Sequence, residues 1–193
     1  MKREKDPPSI RSFIAIEIPD AAKESLVALS ARLRTSDVRA TWVNHGNMHL
    51  TLRFLGEIDL DRIEKLAASL ESAYQGRAPF SLHIQGTGAF PNPRKPSVIW
   101  AGLEPLEGAL AEVQAIAERA ARDIGLPPDD KTFRAHLTLA RIRDARTAQP
   151  LITRLIQEQD FDAGEFEVHG VSLFSSQLTR QGPIYQRLRE FFF

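Results

Sequence analysis

The sequence predicts an α+β protein in which one unit is used twice: a bilobal fold with pseudo-twofold symmetry, largely antiparallel sheets lining a central cleft, and helices outside. Three observations carry this expectation. Short runs of β-forming residues alternate with amphipathic stretches, and proline and glycine stand between them. The order of these elements repeats in the second half of the chain. Two identical tetrapeptides, His-Leu-Thr-Leu at 49–52 and at 136–139, lie 87 positions apart, while Phe80 to Phe166 and His83 to His169 are each 86.

In chain order, Ser12 to Ile18 (SFIAIEI) reads as a strand, and Pro19-Asp20 opens an Ala/Leu-periodic helix to about Leu33. A short extended piece follows at Thr41-Trp42-Val43, then a strand from Met48 to Leu55. Asp59 and Asp61 mark the start of a helix from Leu60 to Tyr74, because carboxylates suit the positive end of a helix dipole. Phe80 to Gly86 closes the first copy as a strand. The second copy reads as a strand at Ser97 to Gly102, a helix at Leu106 to Ile124 and the motif strand at Phe133 to Ile142. A helix at Ala148 to Gln159 and a strand at Phe166 to Phe174 complete it. The whole of 1–193 forms one domain, with repeats at about 11–90 and 97–176 and C-terminal strands beyond.

Composition narrows the function. The 193 residues hold 42% hydrophobic side chains, enough for one sizeable core. Lysine plus arginine and aspartate plus glutamate each total 25, so no long-range field of one sign draws the chain to nucleic acid or membrane, and any polyanion is held locally. The absence of cysteine excludes disulfides, thiolate metal sites and a cysteine nucleophile. Met1 to Pro8 is charged rather than apolar, and no window approaches the ~18 apolar residues of a membrane span. The cytoplasm is the expected compartment.

The pleat supplies the chemistry. Residues i and i+2 of a strand share a face, so His49 and Thr51 point one way while Leu50 and Leu52 point into a core; His136 and Thr138 repeat the arrangement. Two imidazoles and two hydroxyls then line one cleft. Neutral imidazole can take a proton from water and imidazolium can give one to a departing sugar oxygen, which suits in-line opening of a cyclic phosphodiester without metal or cofactor. Threonine hydroxyls and a nearby arginine would stabilise charge on the non-bridging oxygens. Arg141 is the candidate, yet five residues after His136 it falls on the opposite pleat of a regular strand. It reaches a phosphate only if the strand ends or bulges.

These segments resemble the two-histidine phosphoesterases, specifically the RNA 2′,3′-cyclic phosphodiesterases once named 2′-5′ RNA ligases. The resemblance spans nearly the whole chain: RSFIAIEIP at 11–19, Trp42-Val43, HLTLRFLGE at 49–57, GTGAFPNPRKPSVIWAGL at 86–103, FRAHLTLAR at 133–141 and the closing SSQLTRQGPIYQRL at 175–188. It implies a metal-free site with His49 as general acid, His136 as general base, and Thr51 and Thr138 on the phosphate. The reaction it implies leaves a 2′-phosphomonoester. Ala135 departs from the proline usual before the second histidine, which loosens the backbone but removes no catalytic group.

Phe54, Tyr185 and Trp42 are candidates to stack on a nucleobase. His83 and His169 lack a Ser or Thr two residues on and read as structural. His45 sits in a polar turn, Phe90 reads as a loop anchor, and Arg143 and Arg146 as a solvated edge. Phe191 to Phe193 should pack on a sheet or a subunit interface. Expected partners are RNA 3′ ends or small cyclic nucleotides, with the chain acting as a monomer. A non-catalytic nucleotide-binding module and reversible 2′-5′ ligation are the alternatives; no KxDG lysine, P-loop, GxGxxG or HExxH supports another chemistry.

Overall fold

Residues 8–180 and 182–193 are described by the computed structural model; of the charged stretch Met1–Pro8, only Pro8 lies within them. Strand β1 (Ser9–Glu17) buries five successive residues, Ser12 to Ile16, as a strand covered on both faces does. Helix α1 (Asp20–Arg34) starts after Pro19 and ends in Arg32 and Arg34, whose charges suit a helix C-terminus. The short β2 (Ala40–Trp42) and a 3₁₀ turn at His45–Asn47 lead into β3 (His49–Asp59). The Asp59 carboxylate accepts the Arg62 amide (2.8 Å) and caps α2 (Leu60–Tyr74). After β4 (Phe80–Phe90) come β5 (Val98–Glu104), α3 (Ala109–Asp123), β6 (His136–Ile142), α4 (Gln149–Gln157), β7 (Asp162–Val168), β8 (Gly170–Thr179) and β9 (Gly182–Phe192).

All pairings are antiparallel, in one nine-stranded sheet of order β7-β4-β5-β6-β3-β1-β8-β9 with β2 added to β6. The order is symmetric about its centre: β3 and β6 meet there, β1 and β5 flank them, and β8 and β4 follow. The two motif strands share a single registered pair, Leu50 with Leu137. Because only His169 separates β7 from β8, which lie towards opposite ends of the sheet, the sheet is curled until its ends approach one another. Helices cover the convex face, and Leu50, Leu52, Leu137 and Leu139 join their apolar residues in one core. Burying each such leucine contributes ~1.5–3 kcal/mol.

Several sequence-based expectations are corrected. The strand expected at 166–174 is two strands, because β7 pairs with β4 while β8 pairs with β1 and β9. The repeat spacing holds along β4 and β8, where Gly88 faces Trp100 as Phe174 faces Phe13. It fails in the first part of β4, since Phe166, 86 positions after Phe80, belongs to β7 and pairs with Leu82. Helix α3 begins at Ala109, after Gly108 at φ 67°, rather than at Leu106, and β6 begins at His136 rather than Phe133. The aromatic C-terminus packs within the chain: Phe191 is buried, Phe193 lies against Tyr74 and Phe80, and Phe192 is exposed.

One buried cation ties the lobes together behind the motif strands. Arg53 of β3 meets Glu118 of α3 (2.6 Å) and donates to the carbonyls of Phe54 and Pro127, with Asp129 at 3.5 Å. It thereby anchors the segment that leads to His136. Arg53→Met should keep the volume but leave Glu118 and the Pro127 carbonyl without their partner, lowering stability by about 2–4 kcal/mol in urea unfolding. An unchanged midpoint would show that the clamp is dispensable.

Candidate active site

The face opposite the core carries His49 and Thr51 from β3 and His136 and Thr138 from β6, each half-buried. The two imidazoles are held alike. Nδ1 of His49 lies 2.8 Å from the Asn47 carbonyl and Nδ1 of His136 lies 2.6 Å from the Arg134 carbonyl. A carbonyl can only accept, so Nδ1 carries the proton in both rings and each Nε2 is left as the exchangeable nitrogen. Neither Thr51 nor Thr138 uses its hydroxyl within the protein among the described residues.

Both motif strands bulge at the same place, and this decides the position of Arg141. In β6, Trp100 faces Thr138 but the next pair is Ile99 with Ala140, so Leu139 is an extra residue. In β3, Ala15 faces Thr51 and Ile14 faces Arg53, so Leu52 is extra. An extra residue reverses the faces taken by those after it. Leu139 and Ala140 are both buried and Arg141 emerges on the histidine side; likewise Leu52 and Arg53 are buried and Phe54 emerges. The condition set from the sequence for Arg141 is thus met by a bulge.

Rings surround the histidines. His49 stacks on Phe13 (4.8 Å) and meets Tyr185 edge-on (5.3 Å), with Phe174 beyond (6.4 Å). Phe54, 52% exposed, lies 6.1 Å from Phe13. His136 meets Phe90 edge-on (4.9 Å), and Phe90 packs on Trp100 (5.1 Å), whose indole lies where a side chain on Gly88 would have to be. Phe90 is therefore part of the site wall and not only a loop anchor. Phe13 and Trp100 escaped the sequence reading, yet they are themselves 87 positions apart; applying the repeat spacing to unlike aromatic residues would have found them.

Burial pushes His49 down to about 4 from 6.5, reinforced by the nearby charges of His136 and Arg141 and opposed by the Asn47 carbonyl and by Glu17. Burial also lowers His136, helped by Arg141 and opposed by the Arg134 carbonyl. Glu17 faces His49 across the ladder and is fixed by the buried Ser172 hydroxyl (2.7 Å) and Arg187 (2.9 Å). Among the described residues no such carboxylate pairs with His136.

The remaining candidates lie elsewhere. Trp42 does not join the cleft; its ring sits under the Arg34 guanidinium of α1 (5.1 Å) and packs on the core. His83 pairs with Asp162 (2.7 Å), which raises its pKa, His169 with Glu167 (3.1 Å), and Arg146 with Asp144 (2.9 Å). His45 is exposed. Among the described residues no three His, Asp or Glu side chains come together as a metal site would need, and no helix is long and apolar enough to cross a membrane.

The model of the LigT-like phosphoesterases matches this chain over residues 16–100 and again over 103–185. An RNA 2′,3′-cyclic phosphodiesterase of Aeropyrum pernix is 37% identical over 169 residues, covering 86% of this chain and 95% of that protein. One of the same name from Archaeoglobus fulgidus is 35% identical over 184 residues, covering 94% and 99%. Among solved structures, TT0787 of Thermus thermophilus superposes with a TM-score of 0.79 at 27% identity, covering 95% of this chain and 97% of that one. Escherichia coli LigT complexed with 3′-AMP shares the fold at a TM-score of 0.75 and 22% identity, covering 95% and 98%.

Proposed function

We propose, for a chain that belongs to the LigT-like phosphoesterase family, that its cleft hydrolyses the 2′,3′-cyclic phosphate of RNA ends to a 2′-phosphomonoester. The observation that carries the reading is the pair of imidazoles, each held at Nδ1 by a backbone carbonyl so that Nε2 is left to exchange a proton, on one face with two free hydroxyls and Arg141. Nε2 of His136 takes a proton from water as the oxygen attacks phosphorus. The bond from phosphorus to the 3′ oxygen breaks, and His49 gives that oxygen its proton. Thr51, Thr138 and Arg141 hold the non-bridging oxygens as charge builds. Phe54 and Tyr185 offer faces for the terminal base.

The depressed pKa of His49 bears on this role. The active pair holds one proton, and in the free protein both imidazoles release theirs below 6.5. The phosphodiester anion favours the charged imidazolium, so substrate binding draws in the proton that His49 later donates. The same reading treats 11–90 and 97–176 as copies of one unit within a single domain that acts as a monomer in the cytoplasm. The two separate stretches matched by the family model support the repeat.

Product analysis tests the reading. Adenosine 2′,3′-cyclic phosphate and a cyclic-ended oligonucleotide should both yield 2′-monoesters at rates unchanged by EDTA. A 3′-monoester would reverse the roles at the leaving oxygen, and loss of turnover on chelation would overturn the metal-free mechanism. Binding without turnover would favour a nucleotide-binding module, and joining of ends would favour 2′-5′ ligation.

A further inference from the structure

One rim of the cleft gathers several cations. Residues 91–97 form the turn between β4 and β5, and its tip exposes Arg94 and Lys95, whose amides the Asn92 side chain accepts at 3.0 and 3.2 Å. Ser97 closes the turn onto the Phe90 carbonyl through both its amide (2.7 Å) and its hydroxyl (3.1 Å). Its own carbonyl accepts the Ile142 amide (2.9 Å), which docks the turn beside the end of β6 between Arg141 and Arg143. On the inner side, Phe90 touches His136 and lies under the Arg134 guanidinium (5.6 Å).

Arg94, Lys95, Arg134, Arg141 and Arg143 therefore line one edge of the site, and among the described residues none is in an ion pair. The rim around His49 differs. It is aromatic, with Arg187 held between Glu17 and Glu190 at 2.9 and 3.0 Å and Arg11 near Tyr185 as a further cation. Other cations among the described residues also lie outside ion pairs; what marks this rim is that five of them gather along one edge of the site while the 25 basic and 25 acidic residues balance overall.

We infer that this rim is the track for the upstream phosphates of an RNA strand whose cyclic end occupies the cleft. Arg141 serves the reacting phosphate, while Arg134, Arg94, Lys95 and Arg143 follow the backbone outward. The inference rests on the cyclic-phosphate reading and deepens it, because a mononucleotide has no upstream phosphate. The near-zero net charge, which by itself suggests small substrates, then gives way to a local field that favours polynucleotide ends.

The test compares kcat/KM for adenosine 2′,3′-cyclic phosphate with that for a cyclic-ended decanucleotide at several salt concentrations, in the wild type and in R94Q/K95Q. The wild type should prefer the decanucleotide at low salt. The variant should lose about tenfold of that preference, and the log-log salt slope should flatten by about 0.7 for each phosphate contact removed. Removing two charges from the helix-covered side, in R119Q/R122Q, should change neither. Equal losses on both substrates, or an unchanged preference and slope, would overturn the track while the hydrolase reading stands. A wild type that turns over neither substrate would overturn the hydrolase reading and the track with it.

Discussion

Alanine in place of His136 is expected to lower kcat by about 10²–10⁴-fold, and His49→Ala by a comparable factor, since each removes one proton transfer from the transition state. The double variant should fall little below the singles, because neither imidazole completes the reaction without the other. The measurement is steady-state turnover of adenosine 2′,3′-cyclic phosphate, with thermal unfolding as the control for the lost His49 stacking on Phe13. Near-wild-type turnover in either single variant would remove that residue from the acid–base pair. The pH profile supplies a second signature. Both folded-state pKa values lie below 6.5, so the singly protonated pair is depleted as pH rises toward neutrality, and kcat/KM should peak on the acid side of 6.5. Stability responds in the same range: the unfolded imidazoles bind protons that the folded ones refuse, so stability falls as pH drops below 6.5 and continues to fall to about 4 for His49.

Arg141→Met should cost about 10²–10³-fold in kcat, the loss typical of removing one donor from a developing oxyanion. Its second effect has the opposite sign to a simple loss. The Arg141 charge helps to lower both imidazoles and opposes the burial that raises Tyr185, so removing it should move both limbs of the pH–rate profile upward. Arg141→Lys should restore the position of the profile but only part of the rate, because an ammonium keeps the charge without the planar fork. A variant that loses rate without any movement of the limbs would place the guanidinium away from the histidines.

The halves of this result were legible to different degrees. The motif strands, their facing side chains and helix α2 follow from periodicity that local sequence carries. The bulges at Leu52 and Leu139 do not, because HLTLR and HLTLA continue an acceptable strand pattern; only the ladder partner reveals the extra residue. The split of 166–174 left a trace, since the apolar phase moves from Phe166 and Val168 to Val171 and Leu173 across Gly170; the change of partner at His169, however, is decided by strands far away in sequence. Trp42 and Tyr185 looked alike as aromatic candidates, and only the packing of α1 over one and the position of β9 beside His49 separate them. The unpaired state of the cationic rim likewise depends on which carboxylates the fold has already engaged.

The curl of the sheet explains why so few backbone bonds suffice between β3 and β6. With His169 joining edge strand β7 covalently to β8, second from the opposite edge, the molecule behaves as a calliper leashed at its back: parting the jaws at Leu50 and Leu137 would require the far join to twist at the same time. The spacing of the two motif strands is therefore constrained by that far join as well as by the seam itself. A change in a distant edge strand would be felt as a change in jaw setting.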